Sequence, residues 1–164
     1  MTNKVKLGKI GKPHGLKGYA YIHLNDFIKG YDFSNVPVEI NNKELYIDEV
    51  KTHLKNRNLV KIKNINTIEQ IKLYRDNFIY TNKNTLLNIN KSLPWPELFL
   101  KEPLANIDNL KIILSNYLVS GLQTVLELKV ENSVYLVPYV ESNFVFDGEF
   151  LVMVSSLTIH NPVE

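Results

Sequence analysis

Short runs in which apolar and polar residues alternate dominate the first half of the chain. Alternation with a period of two is typical of half-buried β-strands, because successive side chains of a strand point to opposite faces. Six strands are predicted here: residues 5–10, Tyr19–Leu24, Val36–Ile40, Glu44–Lys51, Leu59–Lys63 and Phe78–Tyr80. Asn41-Asn42 separates two of them and predicts a two-residue hairpin turn, since asparagine tolerates positive φ.

The second half contains a further series of short apolar runs, and these also predict strands. They are Lys111–Val119, Thr124–Val130, Val134–Val140, Phe144–Phe146 and Glu149–Val154. Pro138 has no N–H to donate, so its strand should end there or lie at an edge. Asp147-Gly148 is a strong signal for a type I′ hairpin. We expect residues 155–164, at the end of the chain, to be loosely ordered.

The clearest helical pattern covers Asn66–Asp76. Asn66 is the predicted N-cap, and Glu69 stands three residues later, as a capping box requires. Residues 82–96 show little periodicity and predict a linker, with a short strand at Leu86-Leu87. The pattern therefore predicts a mainly all-β protein of two small β-barrels, residues 1–81 with one short helix and residues 97–164.

Charge divides the chain in the same place. The net charge is +2, but residues 1–90 hold 13 Lys and 2 Arg against 8 Asp and Glu, a net of +7, whereas residues 91–164 carry −5. A basic half can approach phosphate, and an acidic half would be repelled by it. This asymmetry indicates two modules with different partners.

Composition excludes several classes of protein. The 164 residues include no cysteine, which removes disulfides, thiol nucleophiles and cysteine zinc sites and fits a reducing compartment. No apolar run is long enough for a membrane helix, and the first residues lack the apolar core of a signal peptide, so we expect a cytoplasmic protein without a membrane partner. The four histidines show no metal-ligand spacing, and no catalytic carboxylate pair is evident. We therefore predict no enzyme, no metal and no cofactor.

The stretch from Val5 to Leu24 is the most distinctive in the chain. It places Gly8, Gly11, Gly15 and Gly18 in a lysine-rich segment that precedes the first acidic residue, Asp26. One interpretation is a solvated turn; the other is a loop on a small barrel that faces phosphate. In the second interpretation the contact residues are Lys9, Lys12, His14 and Lys17.

The segment Gly8–Gly18, Gly-Lys-Ile-Gly-Lys-Pro-His-Gly-Leu-Lys-Gly, resembles the N-terminal motif of the RimM family of ribosome maturation factors. Residues 64–80 resemble the end of that family's first domain, a translation-factor-like barrel. Val134–Val140 resembles a segment of its second domain, a PRC-type barrel. The family usually shows two tyrosines where this chain has Leu93-Pro94, and those tyrosines are implicated in ribosome binding. Trp95 is either a substitute for them or a packing anchor.

The resemblance implies a non-catalytic, chaperone-like factor that assists assembly of the head of the small ribosomal subunit and processing of its rRNA. The implied partners are the subunit precursor, a ribosomal protein of the head and nearby rRNA. The glycines and His14 of the motif could equally serve to hold the barrel closed. Two other functions remain open at this stage: an RNA-binding barrel that acts on the mature ribosome, and an enzyme that acts on RNA.

Overall fold

The computed structural model describes residues 3–89, 92–121 and 123–163. The chain divides into two compact units, residues 1–89 and 90–164, here called the N-terminal barrel and the C-terminal unit. Both consist mainly of strands, so the predicted fold class is confirmed. None of the helices in the described ranges has the length and apolar character needed to cross a membrane.

Six antiparallel strands close the N-terminal barrel in the order β1-β2-β5-β4-β3-β6. Their bounds are β1 Lys4–His14, β2 Tyr19–Leu24, β3 Pro37–Ile40, β4 Lys43–His53, β5 Arg57–Ile62 and β6 Phe78–Asn82. Pairing of β6 with both β3 and β1 closes the ring and leaves no free edge among these strands.

Isoleucines from all six strands fill the interior of this barrel. They are all at most 5% exposed: Ile10, Ile22, Ile40, Ile47, Ile62 and Ile79. Because side chains alternate along a strand, the residues next to them point outward. Burial of each such side chain contributes roughly 1.5–3 kcal/mol, so the interior provides the main stabilising term.

The predicted hairpin turn between β3 and β4 is confirmed, whereas the N-cap of the predicted helix lies one residue further along the chain. Asn41 and Asn42 both have positive φ in the hairpin between β3 and β4, which confirms that prediction. The helix is shorter than predicted: α1 covers Ile68–Lys72, and Thr67, not Asn66, is its N-cap. The capping box joins Thr67 to Gln70 instead of Asn66 to Glu69.

Within the predicted linker, the suggested strand at Leu86-Leu87 was wrong, because helix α2 covers Lys83–Ile89. Leu86 of this helix is buried, which explains why an apolar pair stands in an otherwise polar segment.

The C-terminal unit contains one seven-stranded sheet in the order β11-β12-β7-β8-β9-β10-β13. Its strands are β7 Pro103–Asn106, β8 Ile112–Ser120, β9 Gln123–Val130, β10 Ser133–Pro138, β11 Phe144–Phe146, β12 Leu151–Met153 and β13 Pro162–Val163. Strand β12 pairs with β7 in parallel, and the other pairs are antiparallel. Strand β10 ends at Pro138, as predicted.

Two predictions for this unit were wrong. The β11–β12 connection is not a two-residue type I′ turn. It covers residues 147–150, and the Asp147 carboxylate accepts the backbone N–H groups of Glu149 and Phe150. The described part of the tail is ordered: Leu157 is buried, its N–H donates to Asp108, and β13 pairs with β10.

Candidate nucleic-acid interface

An open groove of about 640 Å³ lies on the N-terminal barrel, and we call it the cationic groove. Residues of β1 and β2, the turn between β4 and β5, and the segment after β2 line it. Its lysine and arginine residues are Lys9, Lys29, Lys55 and Arg57, and Asp76 is its carboxylate. An excess of cations in a concave surface raises the local concentration of anions such as phosphate.

Strand pairing explains the position of Lys9. It lies directly opposite His23 in the β1–β2 ladder, and both residues face away from the barrel interior. Their chain neighbours Ile10 and Ile22 also pair and are buried in the barrel. The alternation that builds the core therefore also directs Lys9 and His23 to the outer surface.

A tight turn supplies two more cations. Lys55 and Asn56 have φ values of 60° and 59°, so the chain reverses sharply between β4 and β5 and begins β5 at Arg57. Lys29 reaches the groove from the segment after β2, where its ammonium pairs with Asp26 at 2.7 Å. Asp26 offsets part of the Lys29 charge. Lys55 and Arg57 form no ion pair with a carboxylate in the described ranges.

Aromatic rings lie beside these charges. Tyr21, which lines the groove, shares a 3.1 Å hydrogen bond between its hydroxyl and Nδ1 of His14. The ring centroids of His14 and His53 are 4.5 Å apart, and the Arg57 guanidinium carbon lies 5.3 Å from the Tyr21 centroid. Planar side chains next to cations are typical of surfaces that bind nucleic acids.

Strands β1 and β6 carry a second aromatic position. Phe78 pairs with Lys9, and Lys6 pairs with Tyr80. The Lys6 ammonium lies 4.0 Å from the Phe78 ring centroid, and that of Lys9 lies 5.8 Å from it. Phe78 is nevertheless 39% exposed, so this ring is available to a ligand.

Tyr19 belongs to the same outer surface but makes a local contact. Its hydroxyl donates to the Glu49 carboxylate, and this hydrogen bond raises the pKa of Tyr19 to about 12. The Lys51 ammonium lies 4.3 Å from the Tyr19 ring centroid. Tyr19 is therefore a neutral phenol at any physiological pH and adds no charge to the surface.

The structure separates the four contact residues that were predicted from the sequence. Lys9 lines the cationic groove, and His14 joins the aromatic cluster at its side. Lys12 lies near the end of β1 and Lys17 in the β1–β2 turn; both are exposed, and neither lines the groove.

The contributions of Lys29, Lys55, Arg57 and Tyr21 were not predicted from the sequence. The signal available for two of them was the basic turn at residues 55–58. Only closure of the barrel reveals that this turn borders the same groove as β1.

The structure explains why two residues of the motif, Gly8 and Gly18, are glycine. A side chain at Gly8 would collide with the backbone carbonyl oxygen of His23 on the adjacent strand. Gly18 has a φ of 92°, and a side chain there would collide with the carbonyl oxygen of Ile65. Close backbone approach thus demands glycine at both positions. Gly11 and Gly15 have no such collision.

Trp95 lies in the interior of the C-terminal unit. It is 3% exposed, and its indole N–H donates to the Tyr117 hydroxyl at 3.0 Å. The Tyr117 hydroxyl in turn donates to the Glu97 carboxylate at 2.9 Å. This geometry is that of a packing anchor, the second of the two interpretations that the sequence left open.

A small apolar patch lies on one face of the C-terminal sheet. Leu118, Val125 and Pro138 lie opposite one another across β8, β9 and β10, and Leu136 lies opposite Glu127 one step along the same face. Leu118 and Leu136 are both exposed.

No group of three or more His, Asp or Glu side chains in the described ranges is arranged to hold a metal ion. The N-terminal barrel presents a cationic groove, and the C-terminal unit presents two exposed leucines on one sheet face within an acidic half of the sequence. The chain is thus a mainly β protein with two distinct surfaces.

Comparison with known proteins identifies the family. The model of the RimM N-terminal domain matches residues 5–86, which is half of the chain. The chain belongs to the RimM family, and this membership implies a role in ribosome maturation and 16S rRNA processing.

Two solved structures are similar to the chain at low identity. The N-terminal domain of RimM from Thermus thermophilus is 14% identical over 52% of this chain and 95% of that one, with a TM-score of 0.44. A putative 16S ribosomal RNA processing protein RimM from Pseudomonas aeruginosa is 13% identical over 94% and 99%, with a TM-score of 0.41. No curated protein sequence gives a significant match.

Proposed function

We propose that this protein assists assembly of the head of the small ribosomal subunit as a non-catalytic binding factor. The N-terminal barrel binds precursor rRNA, and the C-terminal unit binds a basic ribosomal protein of the head. The observation that carries the proposal is the cationic groove, in which four lysine and arginine residues face one carboxylate.

Phosphate is the anion that best suits this groove. Lys9, Lys55 and Arg57 make no ion pair with any carboxylate of the described residues, so their charge is available to a ligand. Lysine and arginine that neutralise phosphates release condensed counterions, which is the main source of affinity for RNA. Lys12 and His14 extend this basic surface along β1, and Lys17 extends it into the following turn.

The C-terminal unit suits a partner of opposite charge. Residues 91–164 carry a net charge of −5, which repels RNA and attracts the basic proteins that bind it. The exposed Leu118 and Leu136 supply apolar contact, and Glu127 lies beside them on the same face. Complementary charge would mainly speed and orient docking, and the leucines would supply affinity.

Such a factor acts because its affinities for an assembly intermediate and for the finished subunit differ. A protein that binds one assembly intermediate more tightly than the finished subunit shifts the population toward that intermediate. The same difference in affinity releases the factor when the subunit matures. No bond needs to be made or broken.

Co-sedimentation with ribosomal subunits tests the proposal. The double variant Lys9→Glu/Arg57→Glu places two negative charges in the groove and should reduce binding to precursor subunits at least about tenfold. The matched control Lys43→Glu/Lys72→Glu makes the same charge change at two exposed lysines outside the groove and should bind within about twofold of the parent chain.

Two results would contradict the proposal. Equal losses in the groove variant and the control would mean that net charge, not the groove, determines binding. Equal co-sedimentation of the parent chain with mature and precursor subunits would favour a barrel that acts on the mature ribosome.

A further inference from the structure

Packing of the barrel core does not explain why residue 78 is a phenylalanine. Its neighbour Ile79 is fully buried and supplies the core contact of β6, while Phe78 points outward and is 39% exposed. Two lysines on the adjacent strand, Lys6 and Lys9, lie over its ring. An exposed aromatic ring beside cations is an arrangement with which proteins stack a nucleic-acid base and hold its phosphate.

Phe78 is also connected to the cationic groove. Lys9 contributes to both sites, because it lies over Phe78 and lines the groove. On the other side of β1, Tyr21 lines the groove with Arg57 near its ring. Phe78 and Tyr21 thus stand on the two strands that flank β1, which are separated by roughly 10 Å.

We propose that the barrel binds an unpaired segment of RNA, with one base stacked on Phe78 and the adjoining phosphates on Lys6 and Lys9. This inference rests on the proposed function, in which the barrel binds rRNA, and it specifies the form of that RNA. Lysines alone would serve duplex phosphates equally well. Base faces inside a duplex are covered by their neighbours, however, so an exposed aromatic side chain stacks only on an unpaired base.

The contact between Lys6 and Phe78 is compatible with this role. A lysine ammonium on a flexible stem makes a weak cation–π contact at an exposed site. An incoming base can displace it from the ring, and the released ammonium then lies within reach of the nucleotide's phosphate. The free protein thereby keeps the ring partly covered until RNA arrives.

Fluorescence anisotropy of the full chain with a labelled single-stranded RNA of about 12 nucleotides, a length within the range of single-strand binding sites, tests the inference. Phe78→Leu keeps the apolar character but removes the stacking ring, and should weaken binding roughly tenfold. A duplex of the same sequence should bind the parent chain more weakly than the single strand, and Phe78→Leu should leave duplex binding unchanged.

Tyr46→Leu is the matched control. Tyr46 is an exposed aromatic residue of the same barrel, 46% exposed. Its hydroxyl donates to the Glu44 carboxylate, and no lysine ammonium among the described residues lies over its ring. Its replacement should change binding of the single strand by less than about twofold. A circular dichroism melt of each variant reports whether the barrel is intact.

The outcomes separate the two proposals. If Lys9→Gln/Arg57→Gln weakens binding of RNA but Phe78→Leu does not, the stacking inference is overturned and the proposed function stands. If neither Lys9→Gln/Arg57→Gln nor Phe78→Leu weakens binding of RNA, the barrel does not bind RNA through the groove. The stacking inference and the proposed function then both fail.

Abasic substitutions in the RNA provide a test that is independent of folding. With the parent chain, removal of every base from the oligonucleotide should cost roughly tenfold in affinity, because no base is then left to stack on Phe78. Equal affinity for the fully abasic oligonucleotide, or tighter binding of the duplex, would overturn the inference.

Discussion

Replacing Gly18 by alanine tests whether the glycine motif holds the barrel together. Gly18 has a φ of 92°, a region that L-residues rarely adopt, and a Cβ there would collide with the carbonyl group of Ile65. The colliding atoms belong to backbone, which cannot move aside as a flexible side chain can. Gly18→Ala should therefore destabilise the barrel by strain and by steric overlap together.

The magnitude follows from the two terms. A left-handed backbone conformation costs a non-glycine residue roughly 1–2 kcal/mol. Overpacking of a filled site costs roughly a further 1–3 kcal/mol. We expect Gly18→Ala to lower the free energy of unfolding by about 2–5 kcal/mol. Gly15, with a φ of 69° but no atom within 4 Å of its Cβ, should lose only about 1–2 kcal/mol.

Urea unfolding provides the assay. Far-UV circular dichroism follows the strands, and fluorescence of Trp95, the chain's one tryptophan, reports on the C-terminal unit. With a urea dependence of roughly 1–3 kcal/mol per molar, Gly18→Ala should move the barrel's midpoint by about 1 M or more. Gly30→Ala is the control, because Gly30 has neither positive φ nor an atom near its Cβ.

The order of stability of the three variants tests the steric argument. Gly18→Ala should be less stable than Gly15→Ala, which should be less stable than Gly30→Ala. A Gly18→Ala variant as stable as Gly15→Ala would refute the steric argument. In that case the glycine would have to be explained by a ligand that approaches the backbone.

Three further predictions follow from local contacts. Thr67→Ala removes the N-cap of α1 and should cost about 1 kcal/mol in urea unfolding; no change would mean that the cap is not formed in solution. Glu49→Gln should lower the pKa of Tyr19, seen by ultraviolet titration. Because the folded pKa of about 12 exceeds the usual 10, the parent chain should lose stability between pH 10 and 12, and an equal loss in the variant would contradict this. Lys9→Gln/Arg57→Gln should reduce the salt slope for single-stranded RNA by about 1.4, and an unchanged slope would exclude these two cations from the contact.

The fold could be predicted largely because strand alternation is a local property. The pair Asn41-Asn42 and Pro138 also act locally, through positive φ and a missing N–H, and both predictions are confirmed. The predicted capping box was wrong by one residue, because Asn, Thr, Glu and Gln can all take part in such a box. Only the backbone geometry at Thr67 distinguishes the two choices.

The site could be predicted only in part, since its residues are distant in sequence. Lys9 and His14 were named from one stretch, but Arg57 and Phe78 come near them only when β5 and β6 join the closed barrel. The burial of Trp95 could not be predicted from its neighbours in the sequence either. A tryptophan between two prolines does not reveal from sequence whether its ring is buried, and burial depends on the partner Tyr117.

Opposite charges on two units of one chain bear on selectivity. If the barrel binds RNA and the C-terminal unit binds a basic protein, each contact alone can be weak, because the tether raises the effective concentration for the second. Only a particle that presents both partners within reach gains from this. The acidic unit, with a net charge of −5 over residues 91–164, would also be repelled by the RNA phosphates and would leave them to the barrel. Charge neutralisation of the C-terminal unit should therefore raise binding to bare RNA while it lowers preference for a precursor subunit that carries the protein. An increase in both would show that the two units act independently.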